Sequence, residues 1–241
     1  MFSIHRFLTA QRFLRYADAA WPYLMVSWLV LLITGLYFAL IASPPDYQQG
    51  ESVRIMYVHV PSAWMALGIY CFMALANASG FIWKNPFSFI LSTASAPIGA
   101  CFCLICLITG SLWGKPIWGA WWVWDARLTS MLILFFFYIG YLMLYHSHDQ
   151  KEKGEKVAAI LALVGVVNIP IIKFSVNWWH TLHQPASLMR KGGIAIAPEM
   201  LTPLLLMFAS FALLFILLLV IRVKTEILAR RLERKQTQRL S

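Results

Sequence analysis

The chain has 241 residues, of which 60% are hydrophobic and only 12% are charged. A soluble globular domain carries about 25% charged residues, so this composition excludes an ordinary soluble protein and predicts a surface that mostly faces lipid. The formal net charge of +10 does not indicate nucleic acid as a partner. The sequence has no RNA- or DNA-binding motif, and its basic residues cluster between apolar runs, where they contact lipid headgroups.

Six apolar runs approach or exceed the length that crosses a hydrocarbon core, which is about 20 residues in a helix. They predict an all-α, polytopic membrane protein whose whole length, 1–241, forms a single membrane domain. The first run is longer than the apolar core of a secretory signal and lacks a clear cleavage site, so we expect it to remain as a span. The predicted spans are 23–42, 60–83, 89–112, 128–145, 157–172 and 200–223.

The basic residues are distributed unequally between the two sets of connections. Fourteen of the 20 Lys and Arg residues lie in the N-terminus, the second and fourth connections and the C-terminus. Cytoplasmic segments of membrane proteins carry an excess of Lys and Arg. Both termini are therefore predicted to face the cytoplasm, and the first, third and fifth connections to face outward.

The third connection, 113–129, is rich in tryptophan. One or two indoles at a helix end are typical of a membrane-interface belt, whereas five within one short loop indicate an aromatic face that could bury a flat ligand. On a continuous helix, Trp118, Trp121, Trp122 and Asp125 would share one face, and Pro116 would suit the first turn. The five tryptophans are Trp113, Trp118, Trp121, Trp122 and Trp124.

Three histidines are predicted to lie on the same outer side as the tryptophans. His59 is at the mouth of the second span, and His180 and His183 are in the fifth connection. A lone histidine there is often an ordinary interfacial residue. Two of them beside an aromatic platform indicate haem, because a neutral imidazole on each face holds the iron without covalent attachment. His146 and His148 fall on the opposite side and are left out.

A haem also carries two propionates, which need cations or hydrogen-bond donors. Arg54 and Arg127 are the outer candidates, with Lys115 and Arg190 behind them. On an ideal helix Arg127 would point away from the Trp118 face, so its assignment requires a segment that is not an ideal helix. The alternative for Arg127 is a contact with a lipid headgroup or with Asp125.

The four cysteines all lie in apolar runs. Their surroundings favour buried structural cysteines, with a metal-binding role as the minor alternative. No histidine follows a C-x-x-C pair, so the chain is not itself predicted to be a c-type cytochrome. These residues are Cys71, Cys101, Cys103 and Cys106.

The segment 113–129 resembles the WWD domain of haem-handling proteins. With six predicted spans, this length and the segment 178–184, the chain is similar to the haem exporter protein C family, CcmC. The resemblance covers nearly the whole chain. It implies a protein of the bacterial inner membrane that binds haem b at the periplasmic face and passes it to the haem chaperone CcmE during system I cytochrome c maturation. No chemical step is implied, so the chain is not expected to be an enzyme.

The family also implies a set of haem-binding residues and partners. The axial ligands would be His59 and His183; because His180 lies three residues away, either could face the iron if the segment is helical, and we choose His183. Expected partners are the single-span subunit CcmD, the ABC transporter subunits CcmA and CcmB, and membrane lipid. This chain has no Walker A motif, so any use of ATP belongs to a partner. The other implied haem contacts are Trp113, Trp118, Trp121, Trp122, Trp124, Asp125, Arg127 and Arg54.

Two other classes of membrane protein remain as alternatives. A quinol-oxidising electron-transfer subunit usually holds haem between histidines inside its spans, and the predicted spans contain no internal histidine. A small-solute permease is expected to have ionisable residues along its pathway, and the predicted spans are nearly free of them.

Overall fold

The structure is a computed structural model that describes residues 10–184, 193 and 195–240. Apart from one isolated bridge between Asp46 and Gly50, these residues contain no β-structure, so the predicted all-α class is confirmed. The helices are α1 (Ala10–Tyr37), α2 (Met56–Ile82), α3 (Pro86–Trp118), α4 (Ala126–His146), α5 (Lys151–Gly165), α6 (Asn168–Trp178) and α7 (Pro198–Leu240). A π-helical turn, Phe38–Ala42, continues α1, and a 3₁₀ turn, Glu51–Ile55, precedes α2.

Among the described residues, six helical units are long and apolar enough to cross a membrane, as predicted. An even number of crossings brings both ends of the described chain to the same side. The salt bridge between Lys224 of α7 and Asp18 of α1 lies at this shared end. Which side of the membrane this end occupies remains a prediction.

The fifth span is made of two helices, α5 and α6, and is longer than predicted. It covers Lys151–Trp178, whereas the sequence pattern ended it at residue 172. That expectation was wrong because Pro170 lies in the first turn of α6, where a proline is tolerated since its missing N–H has no helical partner there. Asn168, at the start of α6, donates from Nδ2 to the Ser130 carbonyl at 2.8 Å and thereby fixes α6 against α4.

Hydrogen-bonded tyrosines hold the centre of the bundle together. Tyr138 of α4 donates to the Ala66 carbonyl of α2 at 2.7 Å, and Tyr141 donates to Ser92 Oγ of α3 at 3.0 Å. A methyl group on Gly99 would overlap the Tyr138 hydroxyl and its ring, so only glycine allows this approach. Polar groups inside a membrane protein must find such internal partners because lipid offers none.

The cysteines do not all follow the expected buried pattern. Cys103 and Cys106 are buried, Cys71 is half-buried and Cys101 is exposed. Residues 101, 103 and 106 lie on one helix at spacings that put Cys101 on a different face from Cys103, which explains the difference. The expectation of burial is therefore wrong for Cys101.

Salt bridges between α5 and α7 and a hydrogen bond from α4 join three helices at the end of the bundle that holds the chain termini. Arg230 of α7 binds the buried Glu155 of α5 and also Glu226, the latter at 2.8 Å. Lys151 Nζ lies 3.6 Å from the same Glu226 carboxylate, and Tyr145 of α4 donates to it at 3.2 Å. The predicted outer site lies at the other end of the bundle.

Candidate paired-histidine site

The tryptophan segment is not a continuous helix. Helix α3 runs on to Trp118 and ends at Gly119, whose φ of 76° lies in the left-handed region that glycine favours at helix C-termini. Residues 119–125 are irregular. The predicted helical face that joined Trp118 to Asp125 is therefore wrong, and Pro116 lies in the last turn of α3 instead of the first turn of a new helix.

Asp125 starts the next helix. Its Oδ1 accepts a hydrogen bond from the Leu128 backbone N–H at 2.8 Å, which is the usual way an aspartate caps a helix N-terminus. Gly119 and Asp125 are thus a stop signal and a start signal six residues apart. Their backbone and capping preferences outweighed the periodicity of the tryptophans.

His59 and His183 lie side by side at this end of the bundle. His59 is in the first turn of α2, His183 is in the loop that follows α6, and their ring centroids are 6.5 Å apart. The predicted neighbourhood of the first and fifth connections is therefore present in the fold. His180, the other candidate of the fifth connection, is exposed, so the structure brings His183 to His59.

Hydrogen bonds orient both imidazoles in the same way. His59 Nδ1 lies 3.0 Å from the Cys106 carbonyl and 3.1 Å from Thr109 Oγ1, and His183 Nδ1 lies 3.0 Å from the Gln184 carbonyl. A carbonyl oxygen only accepts, so each Nδ1 carries the hydrogen and each Nε2 keeps its lone pair. This is the tautomer that second-shell carbonyls impose on metal-ligating histidines.

The distance between the two ring centroids can be compared with that of two imidazoles that bind one metal ion from opposite sides. A metal–imidazole bond is about 2.0–2.1 Å long. Adding the distance of roughly 1 Å from the bonding nitrogen to the ring centre on each side gives about 6 Å between centroids for two opposed ligands. The observed 6.5 Å is close to this value, and neutral histidine is an established axial ligand of haem iron.

Two of the five tryptophans contact the histidine pair. Trp113 lies edge-on to His59 with ring centroids 5.7 Å apart, and its Nε1 donates to Gln49 Oε1 at 2.9 Å. Trp118 lies 6.4 Å from His183, again between ring centroids. These indoles flank the site from the last two turns of α3.

The other three tryptophans form an outer rim, 121–124. Trp121 and Trp124 are 56% and 77% exposed, and Trp122 lies 5.5 Å from Trp124 between ring centroids. Lys115 Nζ stands 5.9 Å above the Trp121 ring. The Trp122 Nε1 atom is buried and has no hydrogen-bond partner among the described residues. Large exposed aromatic surface of this kind marks a contact with a membrane, a ligand or another protein.

The two arginines predicted to bind propionates have different surroundings. Arg127, in the first turn of α4, donates from Nε to Ser175 Oγ at 3.1 Å and from Nη2 to the Lys173 carbonyl at 3.2 Å. Arg54 binds Glu51 and the Ala39 carbonyl at 2.5 and 2.9 Å, and so joins the end of the first span to the start of α2. The positive charge of Arg127 lowers the pKa of His183, so Arg127 has its guanidinium closer to the candidate site than Arg54 does. Arg190 lies outside the described residues.

Burial lowers the pKa of the His183 imidazole below its ordinary value of 6.5. The Gln184 carbonyl raises this pKa, the positive charge of Arg127 lowers it and the charge of Asp125 raises it, and the balance favours the neutral ring. A neutral ring is the form that binds a metal.

Four polar side chains that support the site were not singled out from the sequence. Only Thr181 stood in a segment that attracted attention, and nothing in the sequence pairs Thr109 with His59, from which it is separated by 50 residues. Their roles depend on helix packing that a linear pattern does not contain. They are Gln49, Thr109, Ser175 and Thr181.

The fold and the site define a polytopic helical membrane protein in which two neighbouring histidines lie beside Trp113 and Trp118. Residues 3–238 match the family model described as Heme exporter protein C. The chain belongs to this family.

Relatives from several bacteria and from a plant support this membership. The chain is 46% identical to Heme exporter protein C of Bradyrhizobium diazoefficiens over 230 residues, which cover 95% of this chain and 87% of the relative. It is 46% identical to Heme exporter protein C of Escherichia coli K12, covering 86% and 83% of the two chains. A Marchantia polymorpha protein, described as a putative cytochrome c biosynthesis ccmC-like mitochondrial protein, is 47% identical and covers 85% and 87%.

Proposed function

We propose that this protein binds haem b without a covalent bond, with His59 and His183 as the two axial ligands, and serves cytochrome c biogenesis. The observation that carries the proposal is the pair of imidazoles 6.5 Å apart, each with Nδ1 held by a carbonyl oxygen and Nε2 left to bind iron. The names of the relatives, heme exporter and cytochrome c biosynthesis protein, agree with this chemistry.

The residues around the two histidines are candidates to contact the porphyrin ring and the propionates. Trp113 and Trp118 lie beside the two histidines, where their apolar ring surface would contact a porphyrin. Arg127 keeps Nη1 without a partner among the described residues, so this nitrogen is the first candidate donor to a propionate. The propionate role of Arg54 stays a prediction.

The exposed rim, 121–124, supports delivery of haem to another protein over permanent retention. A resident cofactor is normally enclosed, whereas Trp121 and Trp124 offer open aromatic surface in the loop that follows Trp118. We infer that the site faces the periplasm from the bacterial inner membrane, and that CcmE takes the haem across this rim. CcmD and the ABC transporter subunits CcmA and CcmB complete the proposed assembly, and the chain itself acts as a carrier, not as an enzyme.

An absorption spectrum of the detergent-purified protein tests the proposal. The wild-type protein should show the spectrum of six-coordinate haem with two histidine ligands. His59→Ala and His183→Ala should each lose it. His180→Ala is the matched control, because this exposed histidine lies three residues from His183 and should leave the spectrum unchanged. Normal spectra in both ligand variants would reject the assignment.

A further inference from the structure

Asp125 connects the tryptophan segment to the loop that carries His183. While its Oδ1 caps α4, its Oδ2 accepts a hydrogen bond from the Thr181 hydroxyl. Thr181 Oγ1 in turn accepts from the His183 backbone N–H at 3.0 Å. A hydrogen-bonded chain therefore runs from the first turn of α4 through two side chains to the backbone of the second histidine.

These hydrogen bonds are important for the position of His183 because residues 181–184 have no regular secondary structure. A loop backbone of this kind is held by its individual hydrogen bonds, and one made to a carboxylate is about twice as strong as a neutral one. The Asp125–Thr181 bond spans 56 residues of sequence. It fixes His183 to α4, and α4 packs against α3, which carries the partners of His59.

Arg127 makes a parallel connection two residues further along α4. Its contacts with Ser175 and Lys173 attach the last two turns of α6 to the same first turn of α4. The segment 173–181, which leads to His183, is thus attached to the start of α4 at both of its ends, by Arg127 and by Asp125. Together these bonds leave the imidazole of His183 little freedom to move away from His59.

We propose that Asp125 and Thr181 are positioning residues, which hold His183 opposite His59 and do not themselves contact the ligand. The proposal rests on the function proposed above. It assigns Asp125 of the tryptophan-rich segment a role in the geometry of iron ligation, distinct from the haem contact that family resemblance implied. Both acceptor oxygens of Asp125 are already occupied by protein donors.

The test is Thr181→Val, which removes the hydroxyl and nearly preserves the shape of the side chain. Without the hydroxyl, the Asp125 bond and the acceptor for the His183 N–H are both lost. We expect haem affinity to fall about tenfold, the lower end of the effect of outer-shell partners of ligating histidines. We also expect ferric haem to become partly high-spin, because one axial ligand is no longer held in place.

Two variants and one reagent separate positioning from a general loss of structure. Thr181→Ser keeps the hydroxyl and should restore the low-spin spectrum. Added imidazole should convert the Thr181→Val protein back to low-spin by replacing the displaced ligand. Thr202→Val is the matched control, because within the described part of the chain the Thr202 hydroxyl bonds only to the Pro198 carbonyl of its own helix, at 3.2 Å.

The outcomes are distinguishable. A wild-type protein with two-histidine haem and a Thr181→Val protein that matches Thr202→Val in affinity and spin state would overturn the positioning role and leave the proposed function intact. A wild-type protein without two-histidine haem would overturn both. Loss of affinity in Thr181→Val without high-spin haem and without rescue by imidazole would also overturn the positioning role.

Discussion

Gly110→Ala should weaken haem binding while leaving the helix intact or more stable. Gly110 lies on α3 directly against His59, and a methyl group built on it would lie 3.0 Å from Cε1 and 3.5 Å from Nδ1 of the imidazole. Carbon atoms pack best at about 3.5–4.0 Å. The imidazole must therefore move by several tenths of an ångström.

That displacement acts directly on the hydrogen bonds that orient His59. Its Nδ1 contacts with Cys106 and Thr109 measure 3.0 and 3.1 Å, and N–H···O bonds are normally no longer than about 3.2 Å. A shift of this size stretches both contacts and changes the direction in which Nε2 would bind iron. We expect a loss of haem affinity of about tenfold or more, in the range known for disturbed outer-shell partners.

The helix itself should gain stability from the same substitution. Alanine is favoured over glycine inside a helix by about 1 kcal/mol. Gly68→Ala in α2 is the matched control, since a methyl group there meets nothing within 4 Å. Titration of the apo-protein with haem, followed by its absorption, and thermal unfolding of both variants are the measurements. Unchanged haem affinity in Gly110→Ala would refute the reasoning.

Three further outcomes follow from the same structure. Because burial lowers the pKa of His183, this imidazole stays neutral in the folded protein to a lower pH than a free histidine. In a pH titration, haem should therefore stay bound as the pH falls through the ordinary value of 6.5 and be released only below it. Release already above pH 6.5 would contradict this. Glu155→Ala removes one carboxylate partner of Arg230 in a buried network and should reduce the free energy of unfolding by about 3 kcal/mol. The haem spectrum should stay unchanged, because this network lies at the end of the bundle opposite to the two histidines, and loss of the spectrum would contradict that expectation. Trp124→Ala removes a side chain that is 77% exposed and should retain haem but slow its transfer to the purified chaperone, with Trp83→Ala as a control remote from the rim; equal transfer rates would contradict a role for the rim.

The parts of the candidate site that the sequence predicted are those encoded by residue type. Histidine and tryptophan are uncommon enough for residue type and position to indicate His59 and, in the fifth connection, His180 or His183. The choice of His183 came from the family resemblance of the segments 113–129 and 178–184. The predicted face of Trp118, Trp121 and Trp122 was wrong because periodicity gives a face only while the helix continues. Gly119 and Asp125, two local signals within the same segment, end one helix and start another.

The sequence by itself determined that this is a six-span helical membrane protein, because crossing a hydrocarbon core depends on the length and composition of each local run. Only the tertiary structure decided which of two histidines three residues apart faces His59, and which nitrogen of each ring stays available. The orientation of His59 and the position of the loop that carries His183 depend on partners 47 to 56 residues away in the chain, such as Cys106 for His59 and Asp125 for Thr181, whereas the Nδ1 partner of His183 is the neighbouring Gln184 carbonyl. Contacts of that range come from helix packing, and hydropathy does not encode them.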